Sequence, residues 1–156
     1  MKSIKTIADI LNEHSFFEGL SQEEIQFIAG CGKNVMFHEG QVIAEPGDPA
    51  DLFYLIREGK VALSIAVPPR EPFLFQTFGQ KDLVGLSWLI PPYLWTVKVH
   101  AVSLTRAIAF DGACIRKKCD EDTNLGYKLL QHIIKILVLR EEASRLHLLD
   151  VYGEHQ

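Results

Sequence analysis

Between Lys33 and Phe110 the chain is a succession of short apolar runs, each bounded by turn chemistry, and this most constrains what it can fold into. VMFH, QVIAE, LFYLI, KVALSIAV, FLFQTF, TVKVHAV and TRAIAF are separated by Glu39-Gly40, Pro46-Gly47-Asp48, Glu58-Gly59 and Pro68-Pro69. Runs of this length, rich in β-branched and aromatic residues, predict antiparallel strands of a barrel or sandwich rather than a parallel α/β sheet. Within them, Tyr54 to Ser64 reads as a hairpin turned at Gly59, where positive φ costs little only for glycine.

Helical patterns flank this β region. Ile4, Ile7, Ala8 and Leu11 fall at helical spacing, and Ser21 followed by Glu24 is a capping-box signature that opens a second helix running to Gly30. After Asp111, an apolar series from Leu125 through Leu129, Ile133, Ile136, Leu137, Leu139, Ala143 and Leu146 to Leu149 predicts a long helix. That stripe is wider than one face packed on a small barrel requires. A single domain over 1–156 follows, with helices in 1–31, a barrel over 33–110 and C-terminal helices over 111–152.

At 156 residues and 47% hydrophobic content the chain can bury a core without metal or disulfide support. A net charge of −4 gives no reason to expect phosphate backbones or anionic membranes as partners. No segment approaches the roughly 20 apolar residues of a membrane span. Cys31, Cys114 and Cys119 form no disulfide framework and no C-x-x-C pair, so they read as reduced thiols of a cytoplasmic protein.

One segment interrupts the strands. Asp82 to Trp95, DLVGLSWLIPPYLW, is apolar, suggests a short helix over 85–90 and ends at Pro91-Pro92. A helix inserted between barrel strands is the part expected to face a ligand.

The order of elements resembles the cyclic-nucleotide-binding domain family, as in catabolite-activator-type regulators and kinase regulatory subunits. Phe17-Glu-Gly-Leu-Ser-Gln-Glu-Glu-Ile is similar to the family's opening helix. Glu39-Gly-Gln-Val-Ile and Glu45-Pro-Gly-Asp are similar to its first barrel turns, and Phe53-Tyr-Leu-Ile-Arg-Glu-Gly-Lys-Val to its central hairpin. The resemblance implies a mainly β jelly roll, or double-stranded β-helix, with N-terminal helices and a long C-terminal helix.

It also implies a site. In the family the inserted helix begins Gly-Glu, whose carboxylate takes the ribose hydroxyl, and a following arginine pairs with the cyclic phosphate. Here those positions hold Gly85-Leu86 and Trp95, with Thr96 next. Leu86 accepts no hydrogen bond, Trp95 neutralises no phosphate, and a buried anion without a cation costs several kcal/mol. Tight binding of cyclic AMP or cyclic GMP is therefore not expected, unless Lys98 or Arg106 substitutes as the cation.

Gly85, Leu86, Ser87, Trp88, Trp95 and Thr96 are the candidate pocket residues. With Ile90, Tyr93 and Leu94 they allow three readings: a pocket for a flat or apolar ligand, rings that fill a disused pocket, or an aromatic surface for a protein. A sensor for a cyclic nucleotide or another anion, using N–H groups of Gly85 and Leu86 with Thr96, remains the alternative function.

Other chemistries find little support. The scattered histidines include no H-x-H pair, so no metal site is expected. There is no nucleophile with a base and no glycine-rich phosphate loop, so no catalytic residue and no cofactor is assigned. Cys114 and Cys119 flank Ile115-Arg-Lys-Lys, which leaves a redox role open. Leu129, Ile133, Ile136, Leu137 and Ala143 are the expected seam for a homodimer or protein partner. The sequence ends soon after Tyr152 without a recognition helix, so DNA binding by this chain alone is not expected. The leading expectation is a non-enzymatic regulatory or adaptor domain.

Overall fold

The computed structural model describes residues 5–153, with side-chain surroundings through Asp150; Lys2 and Ile4 of the first helical pattern, and His155, lie outside them. Thr6 and Ser21 each cap a helix. Thr6 Oγ1 accepts from Asp9 N at 3.1 Å to open α1 (Ile7–Glu13), and Ser21 Oγ accepts from Glu24 N at 3.1 Å to open α2 (Gln22–Gly30). Both boxes close reciprocally through the third residue's carboxylate, as the Ser21-Glu24 spacing predicts. A short 3-10 turn, Ser15–Phe17, buries Phe16 and Phe17 between them.

Eight strands follow: β1 (Gly32–Phe37), β2 (Val42–Ala44), β3 (Leu52–Glu58), β4 (Val61–Ile65), β5 (Phe73–Phe78), β6 (Leu83–Val84), β7 (Lys98–Ala101) and β8 (Thr105–Asp111). They form two antiparallel four-stranded sheets, ordered β1-β8-β3-β6 and β2-β7-β4-β5. The expected barrel is thus a jelly roll of two sheets rather than one closed ring of strands. Gly59 turns the β3–β4 hairpin at φ 96°, and a Cβ there would sit 2.4 Å from the Leu104 carbonyl oxygen.

Alternation along β3 and β8 divides the interior in two. Phe53 and Leu55 of β3, with Ile108 and Phe110 of β8, face the helices and pack with Leu11, Phe17, Ile25 and Ile28. Tyr54, Ile56, Ala107 and Ala109 face the second sheet and pack with Ala44, Val61 and Val99. Both faces of the first sheet are therefore covered, which explains why LFYLI and AIAF are continuously apolar instead of alternating.

Asp111 caps α3 (Gly112–Glu121), accepting from Cys114 N at 3.1 Å, and α4 (Thr123–Gly153) follows directly. At 31 residues α4 is about 46 Å long. Its first half docks on the helical side of the core through Leu125, Leu129 and Ile133. Every residue from Glu141 to Asp150 is exposed.

The candidate pocket and the C-terminal helix

The segment that follows β6 is held by two indoles pointing into different cores. Gly85, at φ 96°, leads directly out of Val84, whose strand is paired to Tyr54 and Leu55 of β3. Residues 85–86 are irregular and 87–90 form a turn and a bend, not the helix expected there, and the local bond is Ile90 N to the Ser87 carbonyl at 3.3 Å. Positive φ at Gly85 lies outside the helical region, and the Pro91-Pro92 boundary leaves no room for a second turn.

Trp88 is 3% exposed on the helical side. It stacks on Phe53 at 4.7 Å with planes 14° apart, and Phe53 in turn stacks on Phe110 at 5.1 Å. Gly112 lets the Trp88 backbone come close: a Cβ at Gly112 would lie 2.6 Å from Trp88 Cβ. Arg116 fixes the same segment from α3, donating to the Trp88 carbonyl and lying 3.9 Å from the Tyr93 ring centroid.

Trp95 turns the other way. Its ring is 7% exposed among Ala44, Ala50, Tyr54, Val84, Val99, Ala107 and Ala109, between the sheets. Trp95 N donates to the Asp48 carbonyl at 2.8 Å and its own carbonyl accepts from Gly47 N at 2.7 Å, so the backbone is tied to the Pro46-Gly47-Asp48 turn. The indole lies against Gly85: a Cβ built on Gly85 would be 2.4 Å from Trp95 Cη2 and 3.1 Å from Cζ2. Glycine is required here twice, by its φ and by the ring.

Of the six candidate pocket residues the structure brings Gly85 and Trp95 into contact. It places Trp88 in the opposite core, sends Leu86 toward that same core, half-buries Ser87 and exposes Thr96. The two substitute cations have carboxylate neighbours of their own. Lys98 Nζ is 3.9 Å from Glu45, and Arg106 Nε is 3.6 Å from Glu58. The Trp95 indole thus lies on Gly85, and no helix begins within 85–90.

On α4 the residues of the expected seam divide between core and surface. Leu129 and Ile133 are 4% and 5% exposed and belong to the domain's own core, with Ile136 packed beside them, while Leu137 and Ala143 face outward. The outward apolar face is instead Tyr127, Leu130, Ile134, Leu137 and Val138. Tyr127, Leu130, Ile134 and Leu137 fall at alternating spacings of three and four, the pattern of a helix-pairing seam. Arg140 ends the docked part of the helix: its Nη2 donates to the Leu83 carbonyl at 2.5 Å and its guanidinium lies 4.4 Å from the Phe78 ring centroid. Sequence reasoning missed Arg140, which reads as one more solvent-side charge.

The thiols also pair differently from the expectation that linked Cys114 to Cys119. Cys114 Sγ lies 2.9 Å from Cys31 Sγ, whereas Cys119 packs toward α4 at Gly126. Among the described residues no cluster of three or more His, Cys, Asp and Glu side chains could hold a metal ion, and no helix is long and apolar enough to cross a membrane.

Two sheets with a glycine-led segment between β6 and β7 and a long final helix define a cyclic-nucleotide-binding type of jelly roll. The model of the cyclic nucleotide-binding domain family matches residues 34–122, more than half of the chain, and the chain belongs to that family. It is 23% identical over 129 residues to a CRP-like cAMP-activated global transcriptional regulator of Mycobacterium tuberculosis, covering 83% of this chain and 58% of that protein. It is 33% identical over 122 residues to a cAMP-dependent protein kinase regulatory subunit of Dictyostelium discoideum, covering 76% of this chain and 37% of that protein. The chain thus spans less than two thirds of either relative. A cyclic nucleotide-binding domain from Methylobacillus flagellatus shares the fold at a TM-score of 0.76 and 20% identity, over 92% of this chain and 81% of that one.

Proposed function

We propose that this domain is a non-enzymatic regulatory or adaptor module whose nucleotide pocket is filled by its own Trp95, so that it does not hold cyclic AMP or cyclic GMP tightly. The observation that carries this reading is the Trp95 indole lying on Gly85, with Leu86 in place of a ribose-binding carboxylate. The relatives' printed functions, a cAMP-activated regulator and a kinase regulatory subunit, support a regulatory role rather than catalysis.

The working surface is α4. Its outward face, Tyr127, Leu130, Ile134 and Leu137, together with the exposed Leu146, Leu148 and Leu149, pairs with a second copy or with a larger protein. Burying such a face removes apolar surface from water at about 25 cal/mol per Å². The rival reading, an anion sensor built on Gly85, Leu86 and Thr96, is less supported because 85–90 is not helical and Thr96 is exposed.

Two measurements test the proposal. Calorimetry and thermal-shift titration with cyclic AMP and cyclic GMP should show neither heat nor stabilisation at micromolar nucleotide; saturable stabilisation in that range defeats the filled-pocket reading. Light scattering should show a dimer that Ile134→Glu or Leu137→Glu returns to monomer. A clean monomer well above micromolar concentration eliminates self-pairing.

A further inference from the structure

We propose that Cys31 and Cys114 form a peroxide-oxidisable pair whose disulfide staples the N-terminal helical layer to the root of the C-terminal helices. The two residues are 83 positions apart, yet the fold fixes them as neighbours. Cys31 is the C-cap of α2, and its carbonyl accepts from Asp111 N at 2.9 Å, immediately before the β1–β8 ladder begins at Gly32 and Phe110. Cys114 is in the first turn of α3, its N–H held by Asp111. Both attachment points are thus anchored to the same aspartate, Cys31 by the Asp111 backbone N–H and Cys114 by the Asp111 carboxylate.

The sulfurs are 2.9 Å apart, with the Cys31 thiol donating to Cys114 Sγ. Reaching a disulfide bond length of about 2.05 Å requires a movement of less than about 1 Å. Both residues are partly exposed, so a small oxidant reaches them. Cys114 is the attacking sulfur, because it accepts the hydrogen bond that the Cys31 thiol donates and lies in the partly exposed first turn of α3 rather than at the packed end of α2. Cys31 is the resolving thiol. Burial first, then the contact with Cys114, pushes its pKa up to about 12, which keeps it protonated until the second step.

The chemistry balances with a hydroperoxide as oxidant. The Cys114 sulfur attacks the terminal peroxide oxygen; an S–O bond forms, the O–O bond breaks, and the leaving oxygen departs as water or an alcohol after taking the Cys114 thiol proton. Cys31 sulfur then attacks the resulting sulfenic acid; the S–S bond forms, the S–O bond breaks, and hydroxide leaves as water with the Cys31 proton. Two thiols are oxidised by two electrons in total and one peroxide is reduced by two. A dithiol reductant reverses it.

The pairing is independent of whether the pocket takes a ligand. Its consequence is mechanical: Asp111-Gly112 is where β8 becomes α3, and the disulfide locks that junction to the end of α2.

The test is thiol counting on the whole chain after hydrogen peroxide treatment, by denaturing alkylation with a mass-tagged maleimide. The wild type, with its three cysteines, should fall from three reactive thiols to one, and Cys119→Ser from two to none, each restored by dithiothreitol. Peptide mapping should identify the Cys31–Cys114 link, and the melting temperature should rise by about 5–10 °C. Cys31→Ser and Cys31→Ala should abolish the link; two substitutions guard against a folding defect in one. Three thiols remaining in wild type, or a link that contains Cys119 or joins two chains, overturns the proposal.

Discussion

Gly85→Ala, made alone and together with Trp95→Leu, measures directly whether the indole occupies the pocket. Alanine at φ 96° carries a backbone cost of about 1–2 kcal/mol. In the native ring arrangement it also puts a methyl 2.4 Å from Trp95 Cη2, far inside van der Waals contact, and overpacking of that kind costs about 1–3 kcal/mol. Gly85→Ala should therefore destabilise the domain by about 2–5 kcal/mol. Trp95→Leu shortens a side chain that is 7% exposed and should cost about 2–4 kcal/mol, somewhat less than full truncation.

The two costs do not add. Once the six-membered ring is gone the new methyl meets open space, and only the backbone term of about 1–2 kcal/mol survives. The coupling is then about 1–3 kcal/mol, which shifts a urea midpoint by roughly 0.5–1.5 M at the usual slopes. Far-UV circular dichroism is the appropriate probe, since Trp95 itself is removed in half the cycle. If Gly85→Ala costs the same with and without Trp95, the ring does not lie on Gly85 and the filled-pocket reading is wrong.

Arg140→Ala should destabilise by about 1–3 kcal/mol, through loss of the Leu83 carbonyl bond and the Phe78 contact, and should speed amide exchange along α4 beyond Ile136. Exchange confined to β5 and β6 would contradict an anchoring role. Lys128→Ala removes the 3.0 Å partner of Glu24 and should cost about 1 kcal/mol by denaturant melts. Burial pushes the Glu24 carboxyl up, but the Ser21 N–H and Lys128 outweigh it and leave its pKa below the ordinary glutamate value. Its contribution is therefore complete above that ordinary value and disappears as pH falls through the lowered one, so Glu24→Gln should flatten the acid side of the melting-temperature profile. An unchanged profile contradicts the assignment. Gly59→Ala should be among the most destabilising small substitutions, because backbone atoms rather than a flexible side chain block the new methyl; a midpoint within error of wild type refutes the turn geometry.

Elements whose cause is local were legible in the chain. Ser21 with Glu24 announces α2 by its own hydrogen bonds, Gly59 announces a turn by its φ, and the β runs announce strands by residue type and spacing. The absence of a ribose carboxylate at Leu86 and of a cation at Trp95 needed only the sequence once the resemblance was recognised. What periodicity could not decide was direction. Leu129 and Leu130 are adjacent in an apolar helix and one turns into the core while the other faces out, a choice made by where α3 and the Ser15–Phe17 turn stand, so Leu129, Ile133 and Ile136 of the expected seam fell on the buried stripe while Leu137 and Ala143 did not. Likewise Trp88 and Trp95 read as one aromatic cluster, yet the segment between them crosses from one core to the other. Gly85 and Trp95 meet ten residues apart, and Cys31 and Cys114 meet 83 apart, only because paired strands bring them there. Backbone conformation and capping are fixed by near neighbours and can be read from the sequence, whereas which side chain fills which space depends on contacts that exist only after the two sheets and α4 have packed.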